Sequence, residues 1–265
     1  MSAFAQFRDL HSQFLILPNA WDAASARLVE DCGASAIATS SAAVAWAHGY
    51  ADGEQLTPSI LLATVAEILR VVKIPVSVDS EAGYSSDPAK VADYTNALID
   101  MGVAGINLED GTHSPDITAR KIEAIKNVAH KKSSDIFINA RADVYLKKLT
   151  PPDQAREEII RRGKLYKAAG ADGFFAPAVT DAADMRAIAG AVDLPLNILF
   201  FPGVPSFAEM KAAGVRRLSA GAGISRIALG AVRTATKQFL EGTDYETLFK
   251  PAEGLPNLNT LMTQK

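Results

Sequence analysis

The chain has 265 residues, 48% of them hydrophobic, with a formal net charge of -3 at pH 7, one cysteine and a pI near 5.8. That length suits one large domain with an ample core. An acidic balance, with no basic cluster beyond short pairs such as Lys131-Lys132 and Arg161-Arg162, argues against nucleic acid or an anionic membrane as partner, and the lone Cys32 excludes an internal disulfide or a multi-cysteine metal centre. The start of the chain lacks the basic stretch and long apolar core of a signal peptide, and no apolar run nears the roughly 20 residues of a membrane helix. The expected setting is the cytoplasm, and the expected partner a small soluble molecule.

Short apolar runs of β type alternate with longer helical patterns. Strands are predicted over residues 14–17, 36–39, 76–78, 105–108, 137–139, 173–176, 196–199 and 217–219. Helices are predicted over 22–31, 60–72, 88–101, 118–131, 153–169, 182–191, 207–213 and 224–241. Asp87-Pro88 pairs an N-cap residue with proline at the first helical position, and Pro152-Asp153 is a further start signal. Gly33, Gly102, Gly170 and Gly214 each stand between a helix end and the next strand, where glycine closes a helix in a left-handed cap. Strict alternation of about eight units predicts a single (β/α)8 barrel over residues 1–265, with 242–265 as a C-terminal extension.

Such barrels carry their chemistry at the C-terminal ends of the strands. Those ends present Asn19 and Asp22, Ser40 and Ser41, Asp79 and Glu81, Glu109 and Asp110, then Asn139, Arg141 and Asp143, with Asn197 and Ser219 on the last two strands. In Val78-Asp79-Ser80-Glu81-Ala82-Gly83-Tyr84, strand alternation turns Asp79 and Glu81 the same way, and two like charges side by side persist most easily around a cation. Carboxylates without histidine or thiol partners favour a hard ion, so Asp79, Glu81 and Glu109 suit Mg²⁺ or Mn²⁺. Arg141 offers a planar fork for a carboxylate or phosphonate, or pairs with Asp143 or Glu109.

Taken in order, Leu17-Pro18-Asn19-Ala20-Trp21-Asp22, Thr39-Ser40-Ser41-Ala42-Ala43, Asp52-Gly53-Glu54, the Asp79 segment, Gly105-Ile106-Asn107-Leu108-Glu109-Asp110, Asn139-Ala140-Arg141-Ala142-Asp143 and Leu196-Asn197 resemble the isocitrate lyase and phosphoenolpyruvate mutase superfamily. The resemblance implies a barrel whose last helix is exchanged between subunits, within a homotetramer built as a dimer of dimers. It implies Mg²⁺ held by Asp79, partly through waters fixed by Asp52, Glu81 and Glu109. It further implies a 2-oxo acid or phosphonate substrate, with Ser41, the N–H groups of Ala42 and Ala43, Asn197 and Arg141 as binding groups.

Departures narrow the reaction. The isocitrate and methylisocitrate lyases of that superfamily carry a Lys-Lys/Arg-Cys-Gly-His gate after the fourth strand, whereas this chain reads Gly111-Thr112-His113-Ser114-Pro115-Asp116-Ile117-Thr118 there, without cysteine. Pro177 stands where those lyases place a catalytic glutamate. His113 and Thr118 are the candidate proton-transfer and gate groups, with Thr112 beside them. The expected activity is a Mg²⁺-dependent lyase that cleaves a C–C bond of a small 2-oxo acid through an enolate, resembling oxaloacetate decarboxylase. The alternatives are a P–C bond enzyme (phosphonopyruvate hydrolase or phosphoenolpyruvate mutase) and a non-catalytic 2-oxo-acid-binding protein.

Overall fold

A computed structural model describes residues 2–263 of the chain. It opens with α1 (Ala3–Leu10), β1 (Leu15–Leu17), β2 (Asn19–Ala20), α2 (Ala23–Asp31), β3 (Ile37–Thr39), α3 (Ser41–Ala47), α4 (Pro58–Val71) and β4 (Val76–Asp79). Then follow α5 (Pro88–Asp100), β5 (Gly105–Glu109), α6 (Pro115–Lys131), β6 (Phe137–Arg141), α7 (Ala155–Ala168) and β7 (Gly173–Phe175). The chain continues through α8 (Ala182–Val192), β8 (Leu196–Leu199), α9 (Phe207–Ala212), β9 (Val215–Ser219), α10 (Gly223–Leu240), α11 (Tyr245–Phe249) and α12 (Leu258–Thr263).

All neighbouring strands pair in parallel, in the order β1-β9-β8-β7-β6-β5-β4-β3-β2. The first two segments are one strand broken at Pro18, which has no N–H to give a ladder. Its C=O still accepts Ala38 N–H at 3.0 Å, so β1 pairs with β9, β2 pairs with β3, and the ring closes as a (β/α)8 barrel. The expected local signals operate. Asp22 and Ser25 form a capping box at α2, Asp87 accepts Ala89 N–H ahead of Pro88, and the four glycines before strands take φ of +88, +86, +104 and +90.

Ahead of the C-terminal segment, two helices lie outside the expected alternation. The first, α1, plugs the barrel's N-terminal mouth: Phe7 is fully buried against Leu15, Leu17, Ala36, Ala38, Ala104 and Phe137, and the His11 ring stacks on Phe137 at 4.3 Å. A Cβ on Gly105 would meet Phe7 at 3.0 Å and the Phe137 carbonyl at 2.9 Å, so the plug needs glycine there. The second, α3, begins directly at the end of β3. Its Ser-Ala-Ala-Val-Ala-Trp-Ala run is too short for a clear helical period, but Ser40 caps it by accepting Ala43 N–H at 3.5 Å.

The C-terminal segment returns to the barrel at one point, where Leu261 is buried and its C=O accepts Arg27 Nε at 3.2 Å. By contrast, α10 leaves Ile227, Val232, Phe239 and Leu240 exposed at 75%, 61%, 69% and 79%. The outer face of the first strand is likewise uncovered, with Ile16 54% exposed at an apolar groove of about 880 Å³ that also involves Phe14, Trp21 and Leu28. No helix of the described residues is long and apolar enough to cross a membrane.

Candidate active site

At the C-terminal rim a cavity of about 170 Å³ is lined by Ser40, Ser41, Ala42, Asp52, Asp79, Asn107 and Arg141 on its polar side. Leu146, Phe175, Pro177 and Leu199 form an apolar wall. Asp79 ends β4, where its N–H donates to Thr39 Oγ1 at 2.8 Å and its Oδ2 accepts Ser41 N–H at 3.1 Å. The other oxygen, Oδ1, is buried and receives no hydrogen bond from the described residues. A buried carboxylate oxygen without a donor is costly unless a cation or a bound molecule completes it, so Asp79 fits a hard divalent ion.

Glu81 lies beyond the strand, in a left-handed turn with φ +46, so strand alternation does not carry it to Asp79's face. The turn does bring it close. Its carboxylate accepts Glu54 N–H at 2.5 Å and the Tyr84 hydroxyl at 3.2 Å, and Glu54 in turn accepts Tyr84 N–H at 2.6 Å. Glu54 and Tyr84 also have positive φ, +58 and +59, so three strained non-glycine residues brace each other and hold the Asp52 loop against the rim. Burial, together with the charges of Asp79 and Asp52, pushes the Glu81 carboxyl up to about 7.

Glu109 and Arg141 end neighbouring strands in register and pair at 2.5 Å. Burial dominates at Glu109, and with Asp143 and Asp79 nearby it is raised to about 8 in spite of Arg141. Arg141 is also gripped from behind, with Nε 2.6 Å from Asp143 Oδ1 and Nη2 3.1 Å from Oδ2. Asp143 is itself fixed, its N–H donating to Asp110, whose carboxylate accepts Arg162 Nη1 at 2.8 Å and the Tyr166 hydroxyl at 2.6 Å. Asp110 and Asp143 therefore face away from the cavity and orient Arg141.

The remaining expected residues divide. Ser41, Ala42 and Asp52 line the cavity with Asp79 and Arg141, whereas Glu81 and Glu109 stand behind this wall. Ala43 is buried with its N–H turned to the Ser40 cap. Asn197 is not on the wall: as the second residue of β8 it lies a layer below the rim, fully buried among Asn139, Ser219 and backbone carbonyls. Thr118 is buried on α6, and His113 is exposed in the preceding turn, its N–H bonded to Asp110 C=O at 2.8 Å; neither reaches the cavity. Among the described residues, no three His, Cys, Asp or Glu side chains already converge as a metal-ligand set.

Two interior residues escaped the sequence reading. Asn107 stands two positions before Glu109 on the same strand face, and that spacing was the available signal. Arg217 sits beside Arg216 and reads as half of a surface charge pair, yet its side chain is fully buried inside the barrel. Burial pulls its guanidinium down to about 9 against the opposing pull of Asp79, which leaves it a cation at neutral pH.

Comparison with known proteins agrees with this geometry. A family model described as phosphoenolpyruvate phosphomutase matches residues 7–240. An uncharacterized protein of Mycobacterium tuberculosis is 36% identical over 221 residues, 81% of each chain. A Burkholderia cenocepacia J2315 crystal structure, described as a candidate phosphonomutase, aligns with a TM-score of 0.84 at 38% identity, covering 89% of this chain and 99% of that one. The crystal structure of 2,3-dimethylmalate lyase, described as a member of the PEP mutase/isocitrate lyase superfamily, aligns with a TM-score of 0.82 at 26% identity, covering 94% of each chain. With this match running through every strand of the barrel, the chain belongs to the phosphoenolpyruvate phosphomutase family, within the isocitrate lyase and phosphoenolpyruvate mutase superfamily of lyases and mutases.

Proposed function

We propose that the protein is a Mg²⁺-dependent lyase that cleaves a C–C bond of a small 2-oxo acid in the cytoplasm, in the manner of an oxaloacetate decarboxylase. The observation that carries this reading is a cavity of about 170 Å³ with Asp79 and Arg141 on one side and the apolar wall of Leu146, Phe175, Pro177 and Leu199 on the other. Asp79, with Asp52, Glu81 and Glu109 around it, would hold Mg²⁺, or Mn²⁺ in its place. When bound, the ion supplies Lewis acidity at C2.

The chain's own residues supply the rest. Arg141, preset by Asp143, pairs with the substrate carboxylate, and Ser41 and Ala42 stand across the cavity to receive further oxygens. The apolar wall takes the departing group and limits water, which strengthens every charge interaction inside. Decarboxylation asks for an electron sink more than for a built-in acid. That agrees with a lining whose titratable groups, among the described residues, are Asp52, Asp79 and Arg141. The likeness to a candidate phosphonomutase favours P–C chemistry as a second reading, but a phosphonate group would bring two charges to that apolar wall.

The reading is tested by ¹H and ³¹P NMR time courses with Mg²⁺ on oxaloacetate and phosphonopyruvate separately, against EDTA controls. Pyruvate from oxaloacetate above background, with phosphonopyruvate unchanged, supports the lyase. Phosphate or phosphoenolpyruvate from the phosphonate replaces it with the P–C reading, and binding without turnover of either leaves a 2-oxo-acid-binding protein.

The same proposal includes a homotetramer, a dimer of dimers in which α10 is exchanged between subunits. The exposed Ile227, Val232 and Phe239 on α10 and the uncovered first strand at Ile16 support it, since each offers apolar surface the other would bury. Light scattering on the wild type and on Ile227→Asp is the check: a tetramer that the substitution dissociates is expected, and a wild-type monomer contradicts the assembly.

A further inference from the structure

Between the α1 plug and the cavity, the barrel interior holds a connected set of polar side chains whose hydrogen-bond directions can be assigned from their partners alone. Asn197 Nδ2 lies 2.8 Å from the C=O of Ile198 and 3.3 Å from that of Arg217. Carbonyl oxygens only accept, so Asn197 must present its Oδ1 to Asn139. Asn139 donates accordingly, its Nδ2 lying 3.0 Å from Asn197 Oδ1 and 2.9 Å from Asn107 Oδ1. Arg217, which has no acceptor, donates Nη2 to the same Asn107 oxygen at 3.1 Å.

Two independent donors thus hold Asn107 Oδ1 toward the barrel interior. What the amide can still offer is Nδ2, and Asn107 lines the cavity together with Asp79 and Arg141. Asn107 is also the register partner of Asp79 on the adjacent strand. Among the described residues Arg217 has no carboxylate partner: its Nε and Nη1 are buried without hydrogen bonds, and its guanidinium lies 5.7 Å from the centre of the Phe7 ring. A lone guanidinium is an expensive way to fill a barrel core, and an apolar residue of similar volume would pack there without the cost. Its one hydrogen bond to a side chain is the one that turns Asn107.

We propose that Asn107 is a further substrate-binding residue, donating through Nδ2 to an anionic oxygen of the small acid, and that Arg217 is the positioning residue that fixes the amide in this orientation. The inference rests on the 2-oxo-acid reading above. It gives the cavity floor a neutral donor beside Asp79, where a second carboxylate would repel the ligand. Arg217 keeps that donor from flipping, because the flipped amide would set its N–H₂ against the donors of Arg217 and Asn139.

Calorimetric titration of oxalate, a compact mimic of a 2-oxo acid, in saturating Mg²⁺ tests the proposal on the full chain. Asn107→Leu should bind oxalate about tenfold more weakly, the loss of one hydrogen bond, with Mg²⁺ affinity in the absence of oxalate unchanged. Asn107→Asp should bind it weaker still, since the new carboxylate pairs with Arg217 and faces the ligand. Arg217→Met, which leaves the Asn139 donor in place, should weaken oxalate binding measurably but less than Asn107→Leu, and Arg217→Lys, which restores charge and donor, should recover most of the affinity. Wild-type oxalate affinity in both Asn107 variants overturns the binding role, and wild-type affinity in Arg217→Met overturns the positioning role. If Arg217→Met does not fold, as near-ultraviolet circular dichroism would reveal, Arg217→Lys decides: affinity as poor as in Asn107→Leu overturns the positioning role. Failure of the wild type to bind oxalate with Mg²⁺ removes the 2-oxo-acid reading itself, a result distinct from wild-type binding that the variants leave intact.

Discussion

Ser41 N–H donates to Asp79 Oδ2 at 3.1 Å, joining the first residue of α3 to the last residue of β4 and leaving Asp79 Oδ1 as a buried acceptor without a donor. One oxygen is thus spent on holding the carboxylate still, and the other is aimed.

Arg141 separates a binding role from a structural one. Lysine keeps the charge but cannot span Glu109, Asp143 and a substrate carboxylate with a planar fork. Arg141→Lys is expected to raise KM about tenfold or more, with a fall in stability of about 1 kcal/mol. Steady-state kinetics beside urea unfolding check it. A large stability loss with KM unchanged would reduce Arg141 to an ion pair.

Gly83 lies in the turn between Asp79 and α5 at φ +92, and a Cβ there would stand 2.6 Å from Val91 Cγ1. Both the backbone conformation and the contact oppose a side chain. Gly83→Ala should destabilise by about 2–4 kcal/mol, the sum of left-handed strain and overpacking. Chemical denaturation measures this, and a change below about 1 kcal/mol would contradict the rigidity assigned to the turn.

His11 predicts a pH dependence. Its Nδ1 lies 2.8 Å from the Phe7 carbonyl and so carries the proton, and burial, reinforced by the Arg217 charge, holds the ring down to about 3 from an ordinary 6.5. Between those values the unfolded chain binds a proton that the folded chain refuses, so stability from this group is present above 6.5 and lost as pH falls toward 3. The slope is about 1.4 kcal/mol per pH unit for one site, or about 2 kcal/mol between pH 6.5 and 5. Between the two pH values the wild-type urea midpoint should fall relative to that of His11→Phe, because the variant keeps the stack on Phe137 without the titration. Parallel curves would refute the buried neutral histidine.

Much of the site was legible because strand geometry is periodic. Asp79, Glu109 and Arg141 each end a run of buried residues, and a parallel barrel sends such ends to one rim. Legibility failed where the layer within a strand mattered. Asn197 and Leu199 face the same way on β8, but only Leu199 reaches the cavity, and no local pattern says how deep a strand begins. Thr118 and His113 follow β5 in sequence, yet the turn carries one to the surface while α6 buries the other. The plug by α1 and the burial of Arg217 are tertiary facts, set by which mouth of the barrel Phe7 enters.

The most direct test of the central claim is the initial rate of pyruvate formation from oxaloacetate with Mg²⁺, in the wild type and in Asp79→Asn, after subtraction of the metal-catalysed background. Asparagine preserves the shape of Asp79 and the hydrogen bond from Ser41 but removes the charge, so a fall of about 10²–10³-fold is expected, with the urea midpoint nearly unchanged. A folded Asp79→Asn protein that matches the wild-type rate would contradict the assignment of Asp79 to the metal.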